Sequence, residues 1–273
     1  MQTSKIAIAL SKFELFAGIK PLEDIRALFT LRSLQQFVPS KSDFTKETLR
    51  QVCKNILNAN SEEIVSVTTE LQSIPDSQFG CCPHIPGLLC RLGKQSTGSD
   101  NACLMAVLMT NHFILGPGDA ARIPAGSIYA YIEGDIIEFM GKSEDAVSTG
   151  LSPVPGNDDP DLFTSVLSFS PHTATDILVP RCKGDKGING KTDVYGTAGD
   201  FNVLCSCFGA SENETQKAIL GPSLMIVTKG HGAMKIPGDQ LVELHEGYIF
   251  FVGQGVALDL NTDKGIALYR VYA

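Results

Sequence analysis

The sequence predicts a mainly β protein of two jelly-roll β-sandwiches, the first incomplete and interrupted by an α-helical insertion. Three observations carry that expectation. Short apolar runs separated by glycine- and proline-marked turns occupy residues 101–157, and a longer series of such runs occupies the end of the chain. Between Pro21 and about Gly93 the apolar residues recur at helical spacing instead. The expected boundaries are 1–16 and 101–157 for the incomplete first sandwich, 17–100 for the helical insertion and 158–273 for the second sandwich.

In chain order, Lys5 to Leu10 is a β-like apolar run, and Gly18 to Pro21 breaks the pattern. Leu22, Ile25, Leu28 and Phe29 lie on one helical face, and Leu49, Val52, Cys53, Ile56 and Leu57 on another. Asn60 with Glu63 forms a capping box for a third helix, which Ile74-Pro75 ends. From Asn101 the reading returns to strands. Gly116-Pro117-Gly118-Asp119 is turn chemistry, Ala120 to Ile123 a short strand, Pro124-Ala125-Gly126 a second turn, and Ile128 to Ile132 a strand. Gly134-Asp135 then turns the chain into the apolar run Ile136 to Met140. Asn157 to Pro160 supplies an acidic cap for a helix over Asp161 to Phe169, and Pro171 to Ala198 reads as mobile surface loop. Strands are expected at Phe201–Phe208, Leu224–Thr228, Ala233–Ile236, Gln240–Leu244, Tyr248–Val252, Val256–Leu260 and Ile266–Tyr272, with Lys229-Gly230-His231-Gly232 as a tight hairpin turn.

A net charge of −8 without any Lys/Arg cluster argues against a nucleic-acid surface, since phosphate neutralisation needs clustered cations. The longest apolar stretch, Ala102 to Thr110, is too short to span a bilayer, so no membrane partner is expected. The first residues lack the cleavage pattern of a secretory signal, which implies a cytoplasmic protein whose eight cysteines are reduced thiols.

Gly118, five residues, Pro124, one residue, Gly126, two residues and Tyr129 reproduce the spacing of the second cupin motif, with tyrosine where that motif places a metal-binding histidine. Further stretches carry a family likeness. Ile6-Ala7-Ile8-Ala9-Leu10 with Phe13 is similar to KPEMAIALTPF, and Gly18 to Ile25 to GFRPxEEI. Gly134 to Met140 is similar to GDIIECM, Ser143 to Pro153 to SDNVVRAGLTP, and Glu246 to Gly253 to EGYVFFVG. In this order, over nearly the whole chain, they resemble type I mannose-6-phosphate isomerase, particularly its fungal forms.

That resemblance implies a zinc-dependent aldose-ketose isomerase of mannose 6-phosphate and fructose 6-phosphate, feeding GDP-mannose and glycosylation. It also implies where this chain departs. The family's zinc is held by Gln and His from N-terminal strands for which this chain shows no counterpart, by the Glu of KPEMAIAL, which falls at Lys5, and by the His of HAY, which falls at Tyr129. The family's phosphate- and oxyanion-directed cations fall at Thr3, Ser148 and Val154. Glu138 corresponds to the active-site carboxylate, beside Ser143, Glu144 and Asp145 as substrate-binding positions. No cofactor is therefore expected in this chain. Two functions stay open: a metal-free, non-catalytic relative that binds a sugar phosphate, or a divergent isomerase that uses a partner subunit or a relocated site.

Glu138 itself has two readings, a proton-transfer carboxylate or a residue kept on an inherited strand. Lys20, Arg122 and Lys142 are the isolated cations from which a relocated phosphate site would be built, although such groups are commonly solvated. Cys81-Cys82-Pro83-His84 with Cys90, and Cys205 with Cys207, lack the paired knuckles of a structural zinc site. An incomplete first sandwich leaves an open sheet edge, which self-association or a complementing chain is expected to cover.

Overall fold

The computed structural model describes residues 4–39, 43–95, 101–141, 147, 149, 159–196 and 201–273. The chain opens with β1 (Lys5–Ala9) and β2 (Phe13–Ile19), both buried along most of their length, then leaves the sheet through Pro21 into α1 (Leu22–Leu28). The helical module continues with α2 (Lys46–Leu57), α3 (Ser61–Ser73), α4 (Ile85–Gln95) and α5 (Asn101–Met109). The Asn60–Glu63 capping box forms as read: Glu63 N–H donates to Asn60 Oδ1 at 2.9 Å and Asn60 N–H to Glu63 Oε2 at 3.0 Å.

The strand reading from Asn101 is corrected here. Asn101–Met109 is helical, and all of Ala102 to Met109 is buried. A helix enclosed on every side shows no polar stripe, so its sequence is indistinguishable from a buried strand. Asn101 fixes its start by donating to the carbonyls of Ile56, Leu57 and Ala59 at the end of α2.

The first sandwich then resumes with β3 (Thr110–Leu115), β4 (Ala120–Ile123), β5 (Tyr129–Glu133) and β6 (Ile136–Met140). After α6 (Pro160–Val166), capped by Asp159, and α7 (Ala174–Ile177), come β7 (Leu178–Val179), β8 (Arg181–Lys183) and β9 (Thr192–Tyr195). The second sandwich adds β10 (Asn202–Phe208), β11 (Glu212–Gln216), β12 (Ser223–Ile236), β13 (Gln240–His245), β14 (Ile249–Val252), β15 (Leu258–Thr262) and β16 (Ile266–Tyr272).

Two further readings change. The Pro171–Ala198 stretch is not plain loop, because it contains α7 and β7 to β9, with Thr192 and Tyr195 buried. Lys229-Gly230-His231-Gly232 is not a hairpin turn, because β12 runs unbroken through it with a bulge between Val227 and Lys229. A Cβ on Gly230 or Gly232 would strike the carbonyl oxygen of Gly265 or Asn261, so these glycines serve close strand approach.

The first sandwich is built from the sheets β6-β1-β4-β7 and β3-β2-β5, and the second from the large sheet β11-β15-β12-β16-β10-β9-β8, with β13 and β14 also on β12. Ala9, Phe13, Leu15, Ala17, Ala121, Ile123 and Ile177 fill the first interior. On the opposite face of β1, Ile6 and Ile8 join Tyr195, Val203 and Tyr269, which cements the two sandwiches together. The face of β2 that carries Phe16 packs on the helical module. Among the described residues no helix is long and apolar enough to cross a membrane.

Candidate functional site

The mouth of the first sandwich brings together Lys5, Glu138, Tyr129 and Tyr131. Residues opposed in an antiparallel pair share a face, and β1 opposes Lys5 to Met140 and Ala7 to Glu138. Ala7 is fully buried beside Ala9 and Ala121 of the interior, so the Lys5 and Glu138 side chains point inward from one sheet. Tyr129 and Tyr131 oppose Ala17 and Leu15 of β2, also interior positions, and point inward from the other sheet.

The four side chains are in contact. The Lys5 ammonium donates to the Tyr129 hydroxyl at 2.7 Å and lies 4.7 Å from that ring's centroid. It sits 3.7 Å from Glu138 Oε1, and the same oxygen accepts from the Tyr131 hydroxyl at 2.5 Å. The Tyr129 and Tyr131 rings lie 5.3 Å apart. Burial, and then the hydrogen bond to Glu138, push the Tyr131 phenol above its ordinary range, so it stays a donor. Lys5 and Glu138 keep 18% and 24% of their side-chain surface, enough for solvent or a small ligand to reach both.

Zinc takes thiolate, imidazole and carboxylate donors. Of this cluster only Glu138 supplies one, while an ammonium and a neutral phenol stand beside it. The residues present do not fit that ion. Ser143, Glu144, Asp145, Ser148, Val154, Thr3 and Lys142 lie outside the described residues.

The remaining isolated cations are separate from this mouth. Lys20 is no candidate for phosphate, because it is 3% exposed and its ammonium is spent on the carbonyls of Val107, at 2.8 Å, and Thr110. Burial lowers its pKa to about 8. Arg122 borders an open cleft with Pro124, Pro171, His172, Thr175 and Asp176 on the other face of β4 from Ala121 and Ile123.

Two polar clusters went unrecognised in the sequence. At the seam between the first sandwich and the helical module, Glu14 Oε1 accepts from His112 Nε2 at 2.6 Å and from Arg91, and His84 stacks on His112 with ring centroids 5.1 Å apart. Burial raises the Glu14 pKa, but the bonds from Arg91 and His112 outweigh it and leave the carboxyl below its usual value. Burial, helped by Lys20, lowers His84 to about 4. Inside the second sandwich, fully buried Arg270 and Glu214 are joined through Gln216, Ser206 and Thr192. The sole sequence signal for the latter is a charge at an inward position of the alternating run Ile266–Tyr272.

No family profile matches the chain. The mannose-6-phosphate isomerase of Candida albicans is 29% identical over 98% of this chain and 68% of its own length, and that of Saccharomyces cerevisiae is 28% identical with the same coverage. A phosphomannose isomerase from Salmonella typhimurium superposes with a TM-score of 0.76 at 19% identity, over 99% of this chain and 68% of its own. This chain is similar in sequence to the mannose-6-phosphate isomerases and shares the fold of phosphomannose isomerase. It spans about two thirds of the length of these relatives.

Proposed function

We propose that this chain is a mannose-6-phosphate isomerase-like protein that binds a sugar phosphate at the mouth of its first sandwich without zinc and, as an isolated chain, without catalysis. Its setting is cytoplasmic sugar-phosphate metabolism, on the mannose 6-phosphate and fructose 6-phosphate branch toward GDP-mannose and glycosylation. The observation that carries this reading is the Lys5 ammonium, 2.7 Å from the Tyr129 hydroxyl and 3.7 Å from Glu138. A fixed positive charge there repels a divalent cation and leaves N–H donors for the oxygens of a polyol or phosphate.

Calorimetric titration of the full chain with mannose 6-phosphate and fructose 6-phosphate tests it. The expected result is saturable binding that is unchanged by EDTA and weakened about tenfold by Lys5→Met, the loss of one charge-assisted hydrogen bond. Binding that requires added zinc, or no binding of either sugar phosphate, would overturn it.

One observation supports a second reading, an active divergent isomerase completed by a partner subunit or a relocated site. Glu138 remains hydrogen-bonded to Tyr131 at 2.5 Å, a carboxylate and a phenol placed as proton-handling groups are. Turnover in a coupled assay that Glu138→Gln abolishes would establish that reading.

A further inference from the structure

The cleft that Arg122 borders lies apart from the mouth of the first sandwich. Arg122 opposes Ile6 on β1, so its side chain leaves the sheet on the face away from Lys5, Ala121 and Ile123. Residues 171–176 supply the other wall, which is tied to the sheet beneath. His172 N–H donates to the Ile19 carbonyl of β2 at 2.8 Å, and the His172 carbonyl accepts from Asn111 Nδ2 at 3.0 Å. The space between, about 500 Å³, is of the size that small ligands occupy.

Its polar groups are uncommitted. Arg122 Nε and His172 Nδ1 are both buried without a hydrogen-bond partner, and the Arg122 guanidinium forms no hydrogen bond or ion pair among the described residues. Burial holds the His172 imidazole below its ordinary value against the pull of Asp176, so at neutral pH the ring is uncharged. It offers one donor and one acceptor. Asp176 Oδ2 accepts from the Thr173 N–H and from the Thr173 hydroxyl, each at 2.7 Å, while Oδ1 takes part in no hydrogen bond among the described residues. Arg122 and Asp176 therefore line one cleft as opposite charges that form no ion pair with each other.

We propose that this cleft binds a small organic oxyanion that also carries a hydrogen-bond donor, its anionic group on Arg122 and its hydroxyl or ammonium group on Asp176. The guanidinium presents a planar fork suited to a carboxylate or phosphate, and Asp176 Oδ1 accepts from the donor at the other end. The neutral His172 ring adds a polar contact beside them. A simple anion lacks the contact to Asp176 and is held less tightly. The site is independent of binding at Lys5, because Lys5 and Arg122 occupy opposite faces of their sheet.

The test titrates the full chain with L-serine, glycerol 3-phosphate and acetate, and follows the ring-proton signals of its five histidines by NMR, with His172 identified through His172→Gln. The expected result is a saturable shift of the His172 signal with L-serine or glycerol 3-phosphate, and affinity at least about tenfold weaker for acetate. The responsive acid should also bind at least about tenfold more weakly to Arg122→Gln and to Asp176→Asn. Which acid responds separates a carboxylate ligand from a phosphate one. Unchanged His84 and His112 signals show that each variant is folded, and Arg122→Lys, which keeps the charge without the fork, replaces Arg122→Gln if that variant does not fold. No saturable shift at His172 with either acid, equal affinity for acetate, or undiminished binding in the variants would overturn the proposal.

Discussion

In the first sandwich, Lys5 and Glu138 meet at an open mouth, each keeping contact with solvent and each held by one tyrosine. In the second, Arg270 and Glu214 are both fully buried and are separated by three neutral side chains. The donors in that second cluster all run one way. Arg270 Nη1 donates to Gln216 Oε1 at 3.2 Å, Gln216 Nε2 to Ser206 Oγ at 2.9 Å, and Thr192 Oγ1 to Glu214 Oε2 at 3.0 Å. The Thr192 proton is committed to Glu214, so the 2.8 Å bond between Ser206 and Thr192 has Ser206 as donor. Glu214 further accepts from the backbone N–H groups of Ile188, Asn189 and Lys191. A chain of dipoles aligned from cation to anion stabilises a buried architecture, whereas an open pair with spare N–H and oxygen sites is suited to meeting a ligand.

The largest effect expected of this contrast is on stability in the second sandwich. Glu214→Ala strands three backbone donors and the Thr192 hydroxyl in a dry interior, and should cost about 3–5 kcal/mol in urea unfolding. A loss below about 1 kcal/mol would mean that the buried network contributes little.

An intermediate effect is expected at the seam of the first sandwich with the helical module. His84 is held at about 4 against an ordinary 6.5, so the unfolded chain takes up its proton first as pH falls. Its contribution is fully present above about pH 6.5 and is lost down to about pH 4, on the order of 2 kcal/mol. Denaturant midpoints at pH 7 and pH 5 should separate in the native protein and draw together in His84→Phe. Equal slopes in both proteins would remove His84 from the acid response.

The smallest stability effect is expected at the open mouth. Lys5→Met should move the unfolding free energy by no more than about 1 kcal/mol, as for other partly solvated ion pairs, while it weakens sugar-phosphate binding. A loss as large as that of Glu214→Ala would make Lys5 a structural group and erase the contrast.

Much of this was legible in the sequence because it is written locally. The Gly118–Pro124–Gly126–Tyr129 spacing, the Asn60 capping box and the strand rhythm after Phe201 each lie within a short stretch, and each has its counterpart in the structure. Lys5, Tyr129 and Glu138, which the resemblance relates to family site positions, lie together in the structure, with Lys5 in contact with the other two. What was hidden depends on distant partners. Helix α5 is apolar all round and loses its period, and the loop ahead of β9 owes its order to Glu214, which follows it in the chain. Glu14 meets Arg91 and His112 across 77 and 98 residues, and no spacing rule connects them.

Zinc content and isomerase turnover, measured together on the purified full chain, test the central proposal most directly. The account predicts no stoichiometric zinc and no conversion of mannose 6-phosphate to fructose 6-phosphate, with sugar-phosphate binding indifferent to chelator and dependent on Lys5. One zinc per chain, with metal-dependent turnover abolished by Glu138→Gln, would contradict it.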